Sequence, residues 1–278
     1  MELLSILIAC HNRAFHTERV LRQISSFATD YFQVEIIVVN DGSSDSTAEK
    51  VEKFRLSQEH LIPVKVIEGS GNWYWSKSMA IAEANVSVDS SAVLWLNDDV
   101  DLATDSFSRL LDCIELNPNS ILVGQCFDHI RGVPSFGGFK NESKNPLKLL
   151  RVTADQAPIK IDTFCGNFVY IPKLIRSKVG SIDGKFQHGL GDLDYGYRVK
   201  KMGLTSLSIP GFVGMCSKDP LPKLDRRIEM LTYWNSTKKS PIKSQVHFLR
   251  KHGGSLWLLW LIAPYLRILV LGSQADLS

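Results

Sequence analysis

Two adjacent carboxylates follow an apolar run in the first half of the chain. The run 93–96 is wholly apolar, and it ends in the triplet Asn97-Asp98-Asp99. Neighbouring carboxylates repel each other, so the arrangement is stable when a divalent cation or a set of hydrogen-bond donors neutralises it. Mg²⁺ or Mn²⁺ together with diphosphate oxygens suits such oxygen ligands. The alternative is a solvated turn in which Asp101 or Asp105 caps the next helix.

Two further acids, Asp192 and Asp194, follow a glycine-rich segment in the second half. Leu193, Tyr197 and the later Met202 suit one face of a helix and predict a helix that ends at Gly203. Asp192 then stands at the start of this helix, where the helix dipole stabilises a carboxylate by roughly 0.3–1 kcal/mol. A cap at Asp192 and a first-turn acid at Asp194 are therefore an alternative to a catalytic role.

The elements that position these acids alternate between strand and helix. Apolar runs predict strands over 3–10, 34–39, 64–67 and 92–96, and helical spacing predicts helices over 18–27, 48–56 and 79–84. Right-handed crossovers turn this order into an open, doubly wound parallel sheet. Ligands bind at the carboxyl ends of such strands, where His11, Asn12, Asp41 and the triplet 97–99 fall. Irregular strands and loops over 121–127, 136–139 and 160–164 are expected to cover one edge.

Composition excludes several classes of protein. The 278 residues are 44% hydrophobic and 22% charged, which is typical of a globular chain with one large core or two smaller ones. A net charge of +3 is too small to indicate nucleic-acid binding. The five cysteines show no Cys-x-x-Cys spacing, so we expect neither a disulfide framework nor a zinc site. The first residues show no signal-peptide pattern, and we expect a cytoplasmic protein.

Four segments in this order resemble the family 2 glycosyltransferases of the A-type fold. They are Ala9-Cys10-His11-Asn12-Arg13, the turn 39–47, Asn97-Asp98-Asp99 and the segment 191–198, and the likeness spans about residues 3–215. The resemblance implies an α/β fold with a single doubly wound, mostly parallel mixed sheet and a C-terminal helical, partly apolar tail. It also implies an inverting transfer of a sugar from a nucleotide-diphosphate donor. We expect a catalytic domain over 1–215, with a nucleotide-binding half over 1–100 and an acceptor half over 101–215, followed by a tail over 216–278.

The same resemblance assigns donor binding to the ends of the first strands. The base would be cradled by the backbone of four residues, Ala9, Cys10, His11 and Asn12. Arg13 would lie nearby, and Asp41 would accept a hydrogen bond from a pyrimidine ring, the alternative being an Asx turn. Lys77 falls where the family usually has an arginine near the diphosphate, and a lysine supplies charge there without a bidentate fork.

The resemblance also assigns the cation and the base. Asp99 is the expected ligand of Mn²⁺ or Mg²⁺, and Asp98 is expected to contact the ribose or a group beside the metal ligand. The cation would stabilise the leaving diphosphate as a Lewis acid. Asp192 is the expected general base, which removes a proton from the acceptor hydroxyl. The chain departs from the family pattern at Asn97, where an acid is usual, and at Gly191, where the family usually has glutamate.

Five residues are expected to contact the acceptor or to support the site: Trp73, Asn167, His188, Asp194 and Arg198. Trp73 belongs to the aromatic cluster 73–75, which either contacts the donor or sugar or packs beneath a loop. Asn167 would line the acceptor pocket, and His188 would bind acceptor or phosphate or be structural. Arg198 can pair with Asp194 across one helical turn and so support the site.

The tail changes character after residue 216. Basic residues cluster over 226–252, and nearly continuous apolar sequence follows over 256–262 and 265–271. Each apolar run is shorter than the roughly 20 residues that span a bilayer, so we predict an interfacial helix beside anionic lipid. A peripheral position on the inner face of the cell membrane and a lipid-linked acceptor agree with this prediction. The alternative is a helix packed on the domain or on a homodimer partner.

The expected function is sugar transfer in the synthesis of a surface polysaccharide, such as lipopolysaccharide or capsule, from a uridine or thymidine diphosphate sugar. No nucleic acid is expected as a partner. A nucleotidyltransferase is a weaker alternative, because the glycine-rich loop with arginine and lysine expected after its first strand is missing. A phospho-accepting receiver is about half this length. A non-catalytic protein of the same fold that binds nucleotide sugar or glycan stays an alternative, since Asn97 and Gly191 depart from the family pattern.

Overall fold

The first half of the chain alternates between strand and helix. A computed structural model describes residues 2–58, 60–187, 189–218, 220, 222–224, 226–236 and 240–271. Its first elements are β1 (Leu3–Cys10), α1 (Ala14–Phe27), β2 (Gln33–Asn40), α2 (Thr47–Ser57), β3 (Val64–Glu68), α3 (Tyr74–Glu83) and β4 (Ala92–Leu96). Strands β3, β2, β1 and β4 lie side by side in this order, and each neighbouring pair is parallel. The predicted parallel sheet is therefore confirmed.

Two helices begin earlier than their apolar spacing predicts. α1 begins at Ala14 rather than at residue 18, and the amide of Thr17 already makes a helical hydrogen bond of 2.9 Å. α3 begins at Tyr74, inside the aromatic segment, rather than at residue 79. The amides of Trp73 and Tyr74 donate to the carboxylate of Asp41, so α3 has a cap from another strand that local sequence does not reveal.

The second half adds short strands and two more helices. These elements are β5 (Asp101–Leu102), α4 (Ser106–Leu116), β6 (Ser120–Asp128), β7 (Val133–Phe136), β8 (Gly138–Lys140), β9 (Leu150–Arg151), β10 (Ile159–Ile161), β11 (Thr163–Phe164), β12 (Phe168–Pro172), α5 (Lys173–Val179), α6 (Gly191–Lys201) and β13 (Thr205–Met215). Together with the first half they form a ten-stranded sheet whose main order is β3-β2-β1-β4-β12-β6-β13-β10. β5 pairs with β13, and β7 pairs with β6.

Antiparallel pairing enters the sheet at β12. This strand runs antiparallel to both β4 and β6, whereas β6 and β13 are parallel to each other. The sheet is therefore mixed, as predicted. A separate three-stranded sheet of β11, β8 and β9 adds to the predicted single sheet. The chain passes from one sheet to the other at Gly137, whose φ of 143° suits glycine at this sharp change of direction.

Alternate residues of the central strands pack into two cores, one on each face of the sheet. Ile6 and Leu94 pack on one face with α1 and α4. Leu7 and Trp95 pack on the other face with α3 and α6. All four side chains are fully buried, which explains why β1 and β4 are continuous apolar runs rather than alternating ones. The carboxyl ends of these strands are thereby fixed at the edge that carries the candidate acids.

The C-terminal region is helical, as predicted. It contains α7 (Arg227–Trp234), α8 (Ile242–His252), a 3₁₀ turn (Gly254–Leu256) and α9 (Trp257–Leu271). Phe248 of α8 packs with Tyr197 of α6 and with Phe186, which precedes α6 in the chain. Within the described ranges, none of the helices is both long enough and apolar enough to cross a membrane. The predicted division of the chain at residue 215 stays a prediction.

Candidate active site at the strand ends

The carboxylates of Asp98 and Asp99 directly follow β4, and Arg13 contacts both. Arg13 Nη1 lies 3.4 Å from Asp98 Oδ1 and also donates to Asp99 Oδ2. Thr17 Oγ1 donates to the second oxygen of Asp98 at 3.3 Å. Burial outweighs Arg13 and raises the pKa of Asp98 to about 7. The repulsion between the two acids is therefore relieved by the guanidinium of Arg13, and burial disfavours the charged form of Asp98.

Asn97 joins this pair to an aromatic side chain and to the next strand. Its side-chain oxygen accepts a hydrogen bond from Trp75 Nε1 at 2.8 Å, and its backbone amide donates to the backbone carbonyl of Asn167 at 3.0 Å. The Trp75 ring packs edge-to-face on Trp95, with ring centroids 5.8 Å apart. A Cβ on Gly166 would lie only 2.3 Å from the same Trp75 ring. Trp75 therefore packs in the core and also orients Asn97.

Asp192 lies in the first turn of α6, where its sequence pattern places it. Its Oδ2 accepts a hydrogen bond from the amide of Gly166 at 3.0 Å, and its Oδ1 accepts one from the amide of Leu193 at 2.8 Å. No lysine, arginine or histidine in the described ranges forms an ion pair with it. Burial raises the pKa of the half-buried Asp192 carboxyl above its usual range. A carboxylate with a raised pKa and no cation partner has the properties of a general base.

A side chain at the residue before Asp192 would force Ser76 of α3 to shift. A Cβ on Gly191 would lie 2.3 Å from Ser76 Oγ of α3, which is closer than real Cβ atoms approach. Leu190, which precedes the helix, has a φ of 74°, and this left-handed conformation is rare for a leucine. The chain thus enters α6 through a strained turn that packs α6 on α3 at Gly191.

One short segment connects Asp192 to the triplet. Gly166 donates to Asp192, and the next residue, Asn167, accepts a hydrogen bond from the amide of Asn97. The side chain of Asn167 is buried, with Nδ2 3.7 Å from Cys216 Sγ. Its contribution in this structure is therefore to the frame, and its predicted place in the acceptor pocket stays a prediction. The predicted His188 lies outside the described residues.

Hydrogen bonds between the ends of β1 and β2 hold the predicted base-binding loop. His11 Nδ1 lies 2.6 Å from the carbonyl oxygen of Asp41. Asn12 Oδ1 accepts an amide hydrogen bond of 2.7 Å from the turn after β2. Asn12 has a φ of 52°, a conformation that asparagine tolerates better than most residues. Ala9 and Cys10 end β1 beneath this loop.

Asp41 makes its side-chain hydrogen bonds to the start of α3. Its Oδ1 accepts from the amide of Gly71 at 2.8 Å, and its Oδ2 accepts from the amides of Trp73 and Tyr74 at 2.8 and 2.9 Å. Since two carboxylate oxygens offer about four lone pairs, Asp41 can still accept one more hydrogen bond. Its contact with a pyrimidine ring stays a prediction. Lys77 is exposed on α3, with its Nζ 5.4 Å from the Trp73 ring centroid.

A cleft of about 660 Å³ opens beside the carboxylate pair. Asn12, Arg13 and Asp99, which the sequence analysis assigned to the donor and the cation, share its lining. The segments 129–130 and 215–217 also line the cleft, and no motif in the sequence drew attention to them. The structure therefore brings three predicted residues to one opening and adds two segments to its walls.

Asp128 at the end of β6 fixes both added segments. It accepts hydrogen bonds from the amide of Ile130 at 3.0 Å and from Ser217 Oγ at 2.9 Å. Burial by itself would raise the pKa of Asp128. Hydrogen bonds from Arg131 and Ser217 have the larger effect and hold this pKa well below its usual range. An acid directly after an apolar strand is the signal that would have indicated Asp128, as it indicated Asp98 and Asp99.

Asp194 and Arg198 pair as predicted, on a side of α6 that faces the C-terminal helices. Arg198 Nε lies 2.9 Å from Asp194 Oδ2. The other oxygen of Asp194 lies 2.8 Å from His252 Nε2 and 2.5 Å from Lys251 Nζ, both of α8. Burial opposes ionisation of Asp194, but hydrogen bonds from His252 and Lys251 lower its pKa to about 2. This cluster ties α8 to the helix that carries Asp192.

Residues 5–174, more than half of the chain, match the family described as Glycosyl transferase family 2. The chain belongs to this family. The predicted family is therefore confirmed, and the chain is classed with glycosyltransferase enzymes, as predicted. The match includes three of the four sequence segments, and the fourth, 191–198, lies beyond it. Asn97 and Gly191 are departures within a family member. Asn97 accepts a hydrogen bond from Trp75, and Gly191 packs against Ser76.

A curated relative is named as the synthase of a polysaccharide. Poly-beta-1,6-N-acetyl-D-glucosamine synthase of Staphylococcus epidermidis is 28% identical over 119 residues, which are 42% of this chain and 27% of the synthase. The chain thus spans about a quarter of the length of the relative that it matches.

Three solved structures share the fold. A mannosyltransferase from Pyrobaculum calidifontis, PcManGT in complex with GDP-Man and Mn²⁺, has a TM-score of 0.57 and 14% identity, covering 98% of this chain and 76% of its own. GalNAc-T7 with UDP, GalNAc and Mn²⁺ has a TM-score of 0.61 and 14% identity, with coverages of 94% and 54%. S. aureus TarS with UDP-GlcNAc has a TM-score of 0.59 and 13% identity, with coverages of 97% and 73%. The predicted A-type glycosyltransferase fold is therefore confirmed.

The carboxylate pair fits a divalent cation through one oxygen. Asp99 Oδ1 is buried and accepts no hydrogen bond from the described residues, whereas Asp99 Oδ2 accepts one from Arg13. Across the described ranges, no three side chains of His, Cys, Asp or Glu are grouped to hold a metal. Mg²⁺ and similar cations are commonly held by one or two carboxylates plus substrate phosphates and water. A cation bound to Asp99 would therefore depend on the phosphates of the donor.

Proposed function

We propose that the chain transfers a sugar from a nucleotide-diphosphate donor to an acceptor hydroxyl, with inversion at the anomeric carbon. The donor would be a uridine or thymidine diphosphate sugar, and TarS bound to UDP-GlcNAc supports the uridine choice. The acceptor would be a glycan or a lipid-linked glycan of a surface polysaccharide. The relative that makes poly-beta-1,6-N-acetyl-D-glucosamine supports this class. The protein would act in the cytoplasm at the inner face of the membrane.

The observation that carries the proposal is the position of Asp192 relative to the carboxylate pair. Among the described residues no lysine, arginine or histidine pairs with Asp192, and the backbone of Gly166 and Asn167 links it to the triplet that begins at Asn97. A base for the acceptor and a cation ligand for the leaving group must be separate groups held at a fixed distance. The segment 165–167 provides such a fixed connection.

Asp192 would act on the acceptor. As the acceptor oxygen bonds to the anomeric carbon, Asp192 accepts the hydroxyl proton, and the bond from that carbon to the diphosphate oxygen breaks with its electron pair on the diphosphate. The amides of Gly166 and Leu193 orient the carboxylate without a full opposing charge. Its raised pKa makes it a stronger proton acceptor than an exposed aspartate. One displacement of this kind inverts the anomeric centre.

The donor would be held by the carboxylate pair and Arg13. Asp99 would hold the cation, which when bound stabilises the charge of the leaving diphosphate as a Lewis acid. Arg13 lies between Asp98 and Asp99 and can supply positive charge to the same phosphates. Asp98 keeps the buried place at the strand end that the family resemblance assigns to the ribose contact.

Nucleotide binding is the test. The full chain would be heated with UDP, dTDP or GDP, each with and without Mn²⁺; a nucleotide at 100 times its Kd raises the free energy of unfolding by about 2.7 kcal/mol. We expect a pyrimidine nucleotide to raise the unfolding midpoint when Mn²⁺ is present. Asp99→Asn should abolish this shift, and Asp112→Asn, a change at an exposed aspartate of α4, should preserve it. If no nucleotide shifts the midpoint, the transferase proposal is wrong and glycan binding without catalysis is favoured.

A further inference from the structure

α9 is apolar on two faces, and the protein covers one of them. Trp257 and Trp260 pack with the cluster around Phe248, and Ile268 packs with Met230 of α7. The opposite side carries large apolar side chains that are between 43% and 71% exposed. These residues, called here the α9 face, are Leu258, Leu259, Ile262, Leu266, Leu269 and Val270. A contiguous apolar surface of this kind marks a site of interaction with another body.

Over its described length, α9 is shorter than the hydrocarbon core of a bilayer is thick. At about 1.5 Å per residue, its 15 residues extend for about 22 Å, whereas the hydrocarbon core of a bilayer is about 30 Å thick. Pro264 interrupts the helix further. A helix with one packed face and one exposed apolar face instead suits the plane of the membrane interface.

The charge of this region favours an anionic surface. From Met230 to Ala275 the sequence contains no aspartate or glutamate. The same stretch contains six lysines and arginines, namely Lys238, Lys239, Lys243, Arg250, Lys251 and Arg267. A second copy of the chain on the α9 face would bring two such basic regions together, and like charges repel. Anionic lipid headgroups instead attract lysine and arginine side chains near the surface.

Two exposed arginines contact the ends of α9. The guanidinium of Arg250 lies 5.1 Å from the ring centroid of Trp257 at the first residue of the helix. Arg227 Nη2 donates to the carbonyl of Val270 at 3.3 Å, near the last residue. The acid nearest in sequence, Glu229, is hydrogen-bonded to Arg226 at 2.6 Å. Positive charge therefore flanks the apolar face at both ends.

We propose that the α9 face is a membrane-docking surface, which inserts its leucines among the headgroups of a bilayer that contains anionic phospholipid. Arg227 and Arg250 contact lipid phosphates at the two ends of the helix. Because α8 is joined to α6 through Lys251 and Asp194, docking also fixes the helix that carries Asp192 close to the membrane. This last consequence rests on the proposed function, whereas the docking itself does not.

Vesicle flotation of the full chain tests the docking without sugar or nucleotide. The vesicles would be pure phosphatidylcholine or phosphatidylcholine mixed with phosphatidylglycerol. Leu259→Glu combined with Leu266→Glu places two acids on the α9 face, and we expect a loss of binding of at least tenfold. The control combines Leu61→Glu with Leu116→Glu, at two leucines that are each 77% exposed elsewhere on the protein. This control should bind as the unmodified chain does.

A second pair of changes tests the charge. Arg227→Gln and Arg250→Gln should each weaken binding to the anionic vesicles by about fivefold and leave binding to pure phosphatidylcholine unchanged. These exposed positions keep the test open if the glutamate variant fails to fold, which an altered unfolding midpoint would show. The proposal is overturned if the unmodified chain does not float, or if the glutamate variant is folded and floats equally well. It is also overturned if the chain is a dimer without vesicles and the glutamate variant is a monomer, because a second copy then covers the face.

Discussion

Asp192 and Asp194 lie two residues apart in the first turn of α6, yet their surroundings are opposite. Asp192 is half-buried and accepts hydrogen bonds from backbone amides, whereas Asp194 is fully buried and contacts Arg198, Lys251 and His252. Burial raises the pKa of Asp192. For Asp194 burial acts in the same direction, but hydrogen bonds from His252 and Lys251 lower its pKa to about 2. The same residue type is thus adapted to accept a proton at one position and to remain charged at the other.

This difference shows how helix geometry separates two functions in a short sequence. Residues two apart on a helix point in different directions, so one aspartate faces the segment 165–167 and the other faces α8. Amides hold Asp192 without neutralising it, which leaves its proton affinity available for chemistry. The cations around Asp194 remove its proton affinity and convert it into an anchor. Changes at the two positions should therefore affect different measurements.

The largest effect is expected on catalysis. Asp192→Asn removes the proton acceptor while keeping the size of the side chain, so turnover of the donor should fall by about 10³-fold. Turnover would be measured as release of nucleoside diphosphate from the donor that the thermal panel selects. In the unmodified chain the rate should fall as the pH drops through the raised pKa of Asp192. Full turnover by Asp192→Asn would show that another group is the base.

The next largest effect is expected on stability, at the other aspartate. Asp194→Ala leaves Arg198, Lys251 and His252 without their shared acid, and breaking a buried ion pair costs about 3 kcal/mol of the free energy of unfolding. Urea denaturation of the full chain measures this loss. In the unmodified chain the contribution of Asp194 is complete above its unfolded-state pKa, near 3.8, and is lost as the pH falls towards 2. A variant as stable as the unmodified chain would contradict the anchor role.

Much of the fold could be predicted because its signals are local. Continuous apolar runs indicated β1 and β4, and an acid at the start of a periodic segment indicated the position of Asp192. The cap that Asp41 gives to α3 could not be predicted, since its donors lie more than thirty residues away in the sequence. The contacts of Asp194 with Lys251 and His252 likewise depend on the packing of α8. Within the candidate site, residue types were predictable and long-range partners were not.

A medium effect on stability is expected where α3 and α6 touch beside Asp192. Gly191→Ala places a Cβ 2.3 Å from Ser76 Oγ, and overpacking of this kind costs about 1–3 kcal/mol of the free energy of unfolding. Ser76→Ala removes the hydroxyl that causes the collision. The double variant should therefore lose less stability than the sum of the two single variants, by at least about 0.5 kcal/mol. Strict additivity in urea denaturation would show that Ser76 does not exclude an acid from this position.

The smallest effect is expected from His252, the histidine that contacts Asp194. Its side chain is 2% exposed, and its Nδ1 is buried with no hydrogen-bond partner among the described residues. Burial lowers the pKa of His252, despite the nearby Asp194. Below about pH 6.5 the unfolded chain therefore takes up a proton that the folded chain does not, and the free energy of unfolding falls, by at most about 1.4 kcal/mol per pH unit.

Two buried acids oppose this fall in the free energy of unfolding, so the unmodified chain alone cannot isolate the contribution of His252. The pKa values of Glu83 and Asp98 are raised by burial to about 7, and their protonation in the folded state increases stability as the pH falls from 7 towards 4. His252→Gln keeps a donor for Asp194 and removes only the titration of the imidazole. Between pH 7.5 and 5.5 the unmodified chain should lose about 1 kcal/mol relative to this variant. Equal pH dependence of the two chains would show that His252 takes up its proton as readily in the folded chain as in the unfolded one, against the lowered pKa that burial predicts.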